Sequence, residues 1–410
     1  MTTVIALVMT FAVISRVSVQ AQSENVSFPV GPGFTDVIPH QIVRTDDDRV
    51  YIIAAVGQYK TEIAIYWTGT PGLPQAGDFD QLQMINIKAE PISVDAVYDG
   101  ADIIHILVNT RAPALYDYAL NIRTNTVQPP ITVPAHPATI EGVYMGTSGL
   151  SGMFDAEGML HIAYWSNDDH IMYQPFRYDV AQNTLTEAEP ATQVDSAGSA
   201  NHPVLAVSPV TQAVTIAWVS EYENPAAIRA RTRSESGEWG KEERVSTAPV
   251  WTSTSAGINI DQGPSLVIDH EDTQHLVYIE DYGSDGEYGH VHYVYKASTD
   301  SKWADVPLAM YSHDPAVALN DRGGVFIVGH GAEATGENVN MYVSRKQQDG
   351  LWSELELIAT PQPGDSLDSS VSVKWSVVGW NRPDLVEFVF FAAHQGDYDN
   401  ATLYYGRLGE

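Results

Sequence analysis

The chain has 410 residues, 44% of them hydrophobic, which provides enough apolar material for a buried core and excludes a wholly disordered protein. Its 52 acidic residues against 21 lysines and arginines give a formal net charge of −31, which repels nucleic-acid phosphates and anionic lipid surfaces. There is no cysteine, so disulfides, thiolate metal sites and cysteine nucleophiles are excluded. We therefore expect neither nucleic acid nor a membrane as a partner.

The first element in chain order is an apolar segment from Val4 to Ile14, followed by Val19-Gln20-Ala21, the small-residue pattern that signal peptidase cleaves. This pattern predicts a signal peptide over residues 1–21 and a secreted or periplasmic product, although the usual basic residues before the apolar segment are missing. The alternative interpretation is a hydrophobic first strand. No later stretch approaches the roughly 18 consecutive apolar residues that span a bilayer.

The rest of the chain, residues 22–410, repeats one apolar phrase seven times, at intervals of about 50 to 60 residues. The copies open at Val50, Ile103, Leu160, Val214, Gln274, Val325 and Val386. A shorter apolar segment and a polar turn precede each phrase, and a loop and a third apolar segment follow it. Turn residues and β-branched and aromatic enrichment predict strands, four to a unit.

Seven units of four antiparallel strands predict an all-β fold, a seven-bladed β-propeller, as a single domain over residues 22–410. The seventh unit ends after its third strand, whereas Asn25 to Val30 form an unassigned strand before the first unit. We therefore predict that the segment 22–35 supplies the outer strand of the last blade and closes the ring. An open solenoid and two stacked sandwiches are the alternative arrangements.

Three turns between predicted third and fourth strands resemble the Asp-box of the sialidase-like, or BNR repeat, propeller superfamily. They run from Ser234 to Trp239, from Ser298 to Trp303 and from Gln348 to Trp352, and they are degenerate versions of S-x-D-x-G-x-x-W. The resemblance extends over nearly the whole chain beyond residue 21 through the repeat pattern. It implies a propeller fold in which the turn residues are structural and the tryptophan packs between blades.

The resemblance does not extend to sialidase activity. A sialidase carries an arginine triad that begins with Arg-Ile-Pro near the N-terminus, and this tripeptide is absent. The nearest sequence, Asn381-Arg382-Pro383, is predicted to lie in a turn between first and second strands. Because one fold supports many functions, the function has to be argued from the site.

In a propeller, the innermost strands begin at the central axis on one face, and the loops between second and third strands lie on the same face. We call this the collar face. Several first strands are predicted to begin at a histidine or a carboxylate, and these residues are His40, Glu90, His136, His202, His313, Asp314 and Asp368. Such a ring could hold a divalent metal, either calcium or a His-bound transition metal, or act as acid and base. The alternative interpretation is structural: His-Pro begins a strand at a position where no backbone N–H is needed for pairing.

The loops between second and third strands combine acidic and aromatic residues. The candidates for ligand binding are Trp165, Glu221, Tyr222, Glu280, Asp281, Tyr282, His394 and Tyr398. Aromatic planes pack against the C–H faces of sugars, while carboxylates accept hydrogen bonds from sugar hydroxyls or bind calcium. Ordinary solvated loops are the alternative interpretation.

Three functions are compatible with these patterns. The first is a secreted, monomeric propeller that binds a glycan or another extracellular ligand in its central pocket. The second is a carbohydrate-active enzyme, either a hydrolase that uses Asp314 and Asp368 or a lyase that uses His202 and Tyr222, with His313 in the same ring. The third is a cell-surface scaffold that associates through its acidic surface.

Overall fold

The computed structural model describes residues 26–32, 40–56, 61–87, 89–112, 114–135, 137, 149–250, 263–281, 289–312, 315–320, 322–332, 339–347, 350–359, 365–367, 385–394 and 397–409. The predicted signal peptide lies outside this part of the chain. All regular structure in these ranges is β-structure. They contain no helix with the length and apolarity needed to cross a membrane.

The strands form seven antiparallel sheets, and the first strand in the chain, β1 (Val26–Pro32), belongs to the last of these sheets. Blade 1 contains β2 (His40–Arg44), β3 (Val50–Val56), β4 (Glu62–Trp67) and β5 (Gln81–Asn86). Blade 2 contains β6 (Pro91–Tyr98), β7 (Ile103–Thr110), β8 (Ala114–Asn121), β9 (Thr126–Val127) and β10 (Ile131–Val133). Blade 3 contains β11 (Leu150–Phe154), β12 (Met159–Trp165), β13 (Ile171–Asp179), β14 (Thr184–Glu187) and β15 (Thr192–Gln193).

The other four blades have the same order. Blade 4 contains β16 (Ala200–Val207), β17 (Val214–Ser220), β18 (Ala227–Arg233) and β19 (Glu243–Arg244). Blade 5 contains β20 (Ser265–Ile268), β21 (Gln274–Ile279), β22 (Gly289–Lys296) and β23 (Ala304–Ser312). Blade 6 contains β24 (Ala316–Leu319), β25 (Val325–Ala332), β26 (Val339–Arg345) and β27 (Glu356–Ala359). Blade 7 contains β28 (Asp365–Leu367), β29 (Leu385–His394) and β30 (Asp397–Gly409).

The seven sheets form a ring, which confirms the predicted seven-bladed propeller. The first three strands of each blade pair in chain order, and every copy of the repeated phrase forms a second strand. In blades 2 and 3 the outer edge consists of two short strands, and both of them pair with the third strand. The second strands of blades 1, 2 and 4 are buried along their whole length because both faces of the sheet pack against neighbouring blades. One apolar cluster, for example, joins Tyr51 and Ile53 of blade 1 to Ile104 and Ile106 of blade 2.

In blades 3 and 5, the aspartate before the phrase shapes the turn that enters it. In blade 3, Asp155 Oδ1 accepts hydrogen bonds from the backbone N–H groups of Glu157 at 2.9 Å and Met159 at 2.8 Å. In blade 5, Asp269 Oδ1 accepts the equivalent bonds at 2.9 and 2.8 Å. In such turns the aspartate side chain accepts hydrogen bonds from backbone N–H groups that would otherwise have no acceptor. This explains why an aspartate turn accompanies the repeated phrase in both blades.

The N-terminal strand closes the ring. Strand β1 pairs antiparallel with β30, from Val26 opposite Arg407 to Pro32 opposite Thr402, and it is the outer strand of blade 7. Phe28 is 6% exposed, and its ring centroid lies 5.2 Å from that of Tyr405. The predicted closing strand is therefore present and covers Val26–Pro32 of the described residues, whereas Asn25 of the predicted range lies outside them.

The turns between third and fourth strands anchor tryptophans between blades. Trp239 contacts Tyr173 of the preceding blade edge to face, with ring centroids 5.4 Å apart. Trp352 makes the equivalent contact with Tyr293 at 4.9 Å. These turns lie on the face opposite the collar face, and their tryptophans contribute to packing between sheets.

Candidate functional site at the collar face of blades 3 and 4

The structure describes about half of the predicted site residues in full. It gives the side chains of His40, Glu90, Trp165, His202, Glu221, Tyr222, Glu280 and Asp281. Outside the described residues lie His136, Tyr282, His313, Asp314 and Asp368. His394 and Tyr398 belong to β29 and β30, and their side chains are not described.

Two of the described collar residues make contacts that join elements of the ring. His40 is fully buried, and its Nε2 lies 3.3 Å from the carbonyl oxygen of Val389 in blade 7. Glu90 Oε2 lies 2.8 Å from Nε of Arg111, at the end of the second strand of the same blade. The first contact holds the start of the first strand of blade 1 against blade 7, and the second holds the start of the first strand of blade 2 against its own second strand.

The start of the first strand of blade 4 is held by Asp195. Its Oδ2 accepts hydrogen bonds from the backbone N–H of Gly198 at 2.8 Å and from Nδ1 of His170 at 2.9 Å. Its Oδ1 accepts a bond of 2.7 Å from the N–H of Ile171. One buried carboxylate therefore links the loop after the second strand of blade 3 to the segment that enters β16.

Within that entry, His202 has a left-handed backbone conformation. Its φ is +51°, and the register of β16 against β17 shifts between Asn201 and Val204. His202 is 6% exposed, and the centroid of its ring lies 6.4 Å from that of Trp165. Burial lowers the pKa of His202 to about 4, so the imidazole is neutral at pH 7.

Two buried polar atoms in this cluster have no hydrogen-bond partner in the part of the chain that the structure describes. They are the indole Nε1 of Trp165, a donor, and Oδ1 of Asn201, an acceptor. The amide nitrogen of Asn201 donates to Oε1 of Glu221 at 3.1 Å. The next residue, Tyr222, is 69% exposed and places an aromatic ring at the solvent side. We call Trp165, Asn201, His202 and Glu221 the collar cluster.

Glu280 belongs to a separate polar group in blade 5. His292 Nε2 lies 3.1 Å from Glu280 Oε2, and its Nδ1 lies 2.7 Å from Oδ1 of Asp305. Burial tends to lower the pKa of His292, but the hydrogen bonds to Asp305 and Glu280 outweigh it and raise this pKa above its usual value. The backbone N–H of Asp281 donates to Pro249 O at 3.0 Å.

The predicted metal remains an expectation. Among the residues with described side chains, no three His, Asp or Glu side chains are grouped so that they could hold a metal ion. The imidazole of His292 already engages two carboxylates.

Sequence reasoning missed Asn201 and Asp195 and gave no role to His170. Asn201 stands beside the predicted His202, but nothing in the sequence shows that its oxygen lacks a donor. Asp195 and His170 are separated along the chain and meet only because the loop folds back on the strand.

The fold defines this chain as a seven-bladed β-propeller. No protein-family model and no curated protein matches it. Among solved structures, the S. cerevisiae core factor is similar with a TM-score of 0.51 and 10% identity, over 95% of this chain and 62% of that one.

For two further solved structures, the similar region extends over most of the other protein's chain. AofleA from Arthrobotrys oligospora matches with a TM-score of 0.47 and 10% identity, over 83% of this chain and 91% of that one. An α-L-arabinofuranosidase from Fusarium graminearum matches with a TM-score of 0.46 and 12% identity, over 94% and 97%. Similarity at these identities concerns the fold alone.

Proposed function

We propose that this protein is a carbohydrate-binding propeller whose ligand site includes the collar cluster. The single observation that carries the proposal is the pair of unpartnered atoms, Trp165 Nε1 and Asn201 Oδ1, in one buried cluster. Leaving a buried polar group unpaired costs about 1–3 kcal/mol, so a cluster with two of them favours a group supplied from outside the chain.

The chemistry of the two atoms selects a hydroxyl. The indole N–H requires an acceptor and the amide oxygen requires a donor, and a ligand that carries several hydroxyl groups provides both functions. Glu221 adds a carboxylate acceptor, and the exposed ring of Tyr222 provides an apolar face next to it. A ligand with several hydroxyls and C–H faces, such as a neutral saccharide, matches this set better than an anion or a cation.

The test is a screen of neutral oligosaccharides followed by titration calorimetry on wild type and on Trp165→Phe, which keeps an aromatic ring and removes the indole N–H. We expect the variant to bind about five- to tenfold more weakly, the equivalent of one hydrogen bond. Trp239→Phe, on the opposite face, is the matched control and should bind as wild type does. Equal affinities for wild type and Trp165→Phe, or no neutral saccharide ligand at all, would refute the assignment.

A second candidate function is acid–base catalysis on a bound carbohydrate, and the pair His170–Asp195 favours it. The His170 side chain is 29% exposed, whereas that of Asp195 is 3% exposed, so a buried carboxylate orients a solvent-accessible imidazole. This is the arrangement of a general base. It would act on a substrate held by the collar cluster.

Incubation of the protein with polysaccharides, followed by assays for reducing ends and for unsaturated uronides, tests this second function. His170→Gln should abolish any turnover while it leaves saccharide affinity unchanged. Turnover that survives in His170→Gln would remove the pair from the mechanism, and absence of turnover on every substrate bound would leave binding alone as the function.

A further inference from the structure

A second feature lies on the face opposite the collar face, between blades 5 and 6. There the turn before β21, the end of β22, the turn before β25 and the end of β26 enclose a cleft of about 660 Å³. The side chains that matter for its chemistry are Asp269, Glu271, Thr273, Tyr295, Arg322 and Lys346. Its size is within the range of small-molecule sites, about 300–1,000 Å³.

The central group in the cleft is the ammonium of Lys346. It lies 4.6 Å from the ring centroid of Tyr295 and 5.3 Å from that of Tyr293, and its Nζ is 3.5 Å from the Tyr293 hydroxyl. Among the described residues, no carboxylate forms an ion pair with it. Asp269 lines the same cleft and attracts the ammonium at longer range. Since the chain has 52 acidic residues and 21 basic ones, a half-buried lysine with no close carboxylate among the described residues is unusual.

The equivalent position between blades 3 and 4 holds a carboxylate that has no counterpart among the described residues of blades 5 and 6. Arg233 pairs with Val214 across the sheet, as Lys346 N bonds to Val325 O, and both valines open the repeated phrase. Arg233 lies 5.4 Å over the ring of Tyr173, the counterpart of Tyr293. In that blade pair, both carboxylate oxygens of Glu189 accept hydrogen bonds from Arg233 at 2.6 Å.

The groups behind each tyrosine are also equivalent. In blade 3, His161 lies 2.7 Å from the Tyr173 hydroxyl and 3.1 Å from Asp155. In blade 5, His275 bonds its tyrosine at 2.7 Å and Asp269 at 3.0 Å. The carboxylate, histidine, tyrosine and cation therefore recur in both blade pairs. The second carboxylate, which neutralises the cation, is present at blades 3 and 4 and is not among the described residues at blades 5 and 6.

We infer that the cleft between blades 5 and 6 binds a small carboxylate-bearing sugar of the hexuronate class. Its carboxylate contacts Lys346 Nζ and takes the place that Glu189 has beside Arg233. Arg322 adds a second positive charge, Glu271 and Thr273 offer partners for hydroxyls, and Tyr295 provides a ring face for the sugar C–H groups. The net charge of −31 disfavours polyanions, so the ligand is a small monoanion.

The test titrates the full-length protein at pH 7 with sodium D-glucuronate, D-glucose and sodium acetate, which separate the carboxylate from the hydroxyl-bearing ring. Glucuronate should bind at least tenfold more tightly than either of the other probes. Lys346→Met keeps the length and packing of the side chain and should reduce glucuronate affinity to that of glucose. Lys241→Met, an exposed lysine of blade 4, is the matched control and should not change binding.

Wild-type protein that binds glucose as well as glucuronate, or that binds neither, overturns the inference, and so does Lys346→Met with wild-type affinity. If Lys346→Met does not fold, the comparison of the three probes on wild-type protein decides alone. Trp165→Phe should leave glucuronate binding intact, because this site lies on the other face and is independent of the proposed saccharide site of the collar cluster.

Discussion

His202 combines three properties that seldom occur together in one residue. Its φ is +51°, it is 6% exposed, and burial lowers its pKa to about 4. A left-handed conformation costs a non-glycine residue about 1–2 kcal/mol, so the surrounding packing has to maintain it. Strained residues of this kind cluster at ligand sites, which agrees with the location of His202 beside the unpartnered atoms of Trp165 and Asn201.

The backbone of His202 predicts which substitutions its position accepts. Asparagine adopts the left-handed conformation more readily than most residues, whereas a β-branched side chain clashes there. His202→Asn should therefore be more stable than His202→Val by about 1–2 kcal/mol. Urea unfolding of the two variants measures the difference. Equal stability, or the reverse order, would mean that the left-handed conformation does not govern this position.

The pKa of His202 predicts a loss of stability in acid. Because its pKa is near 4 in the folded protein and near 6.5 in an unfolded chain, the unfolded state alone binds a proton between these values. The free energy of unfolding should fall by about 3 kcal/mol from this group as the pH decreases from 6.5 to 4. In His202→Asn this contribution should disappear, as measured by urea unfolding at several pH values. Parallel pH profiles for the variant and wild type would contradict the prediction.

At the scale of elements, closure of the ring depends on one short strand. Strand β1 is the outer strand of blade 7, and Phe28 packs against Tyr405 and Phe79 with ring centroids 5.2 and 6.4 Å away. A Cβ at Gly31 would meet Cε1 of Tyr66 at 2.6 Å, so only glycine allows this close approach between blades 7 and 1.

Phe28→Ala should lower the free energy of unfolding by about 3 kcal/mol, since it leaves a cavity between aromatic rings of two blades. Leu82→Ala is the matched control, because Leu82 is 50% exposed on the outer strand of blade 1. Its effect should stay within about 0.5 kcal/mol. A Phe28 variant as stable as the control would show that β1 contributes little to closure.

The blades could be predicted from the sequence because the second strands are largely buried in the described residues and read as mainly apolar runs. Asp155 and Asp269 mark the turns before two of these runs by residue type alone. The collar cluster could not be predicted in the same way. Whether Asn201 lacks a donor, or Lys346 a carboxylate, depends on residues far apart in sequence, and only the registers of neighbouring blades bring them together.

At the scale of the whole molecule, the ring separates two kinds of chemistry onto opposite faces. The collar face carries a neutral imidazole beside a donor and an acceptor that have no partner among the described residues, and we propose that this set binds hydroxyls. The opposite face carries a lysine over two tyrosines, which suits a carboxylate. A negative net charge of this size keeps extended polyanions away from both faces.

The indole N–H resonance of Trp165 reports directly on saccharide binding at the collar cluster. In a ¹⁵N-resolved spectrum, with the resonance assigned through Trp165→Phe, a neutral oligosaccharide that binds should move this peak downfield as the N–H gains an acceptor. The indole peaks of Trp239 and Trp352, on the opposite face, should stay in place. A Trp165 peak that does not move at saturating saccharide, or shifts confined to Trp239 and Trp352, would contradict a saccharide site at the collar cluster.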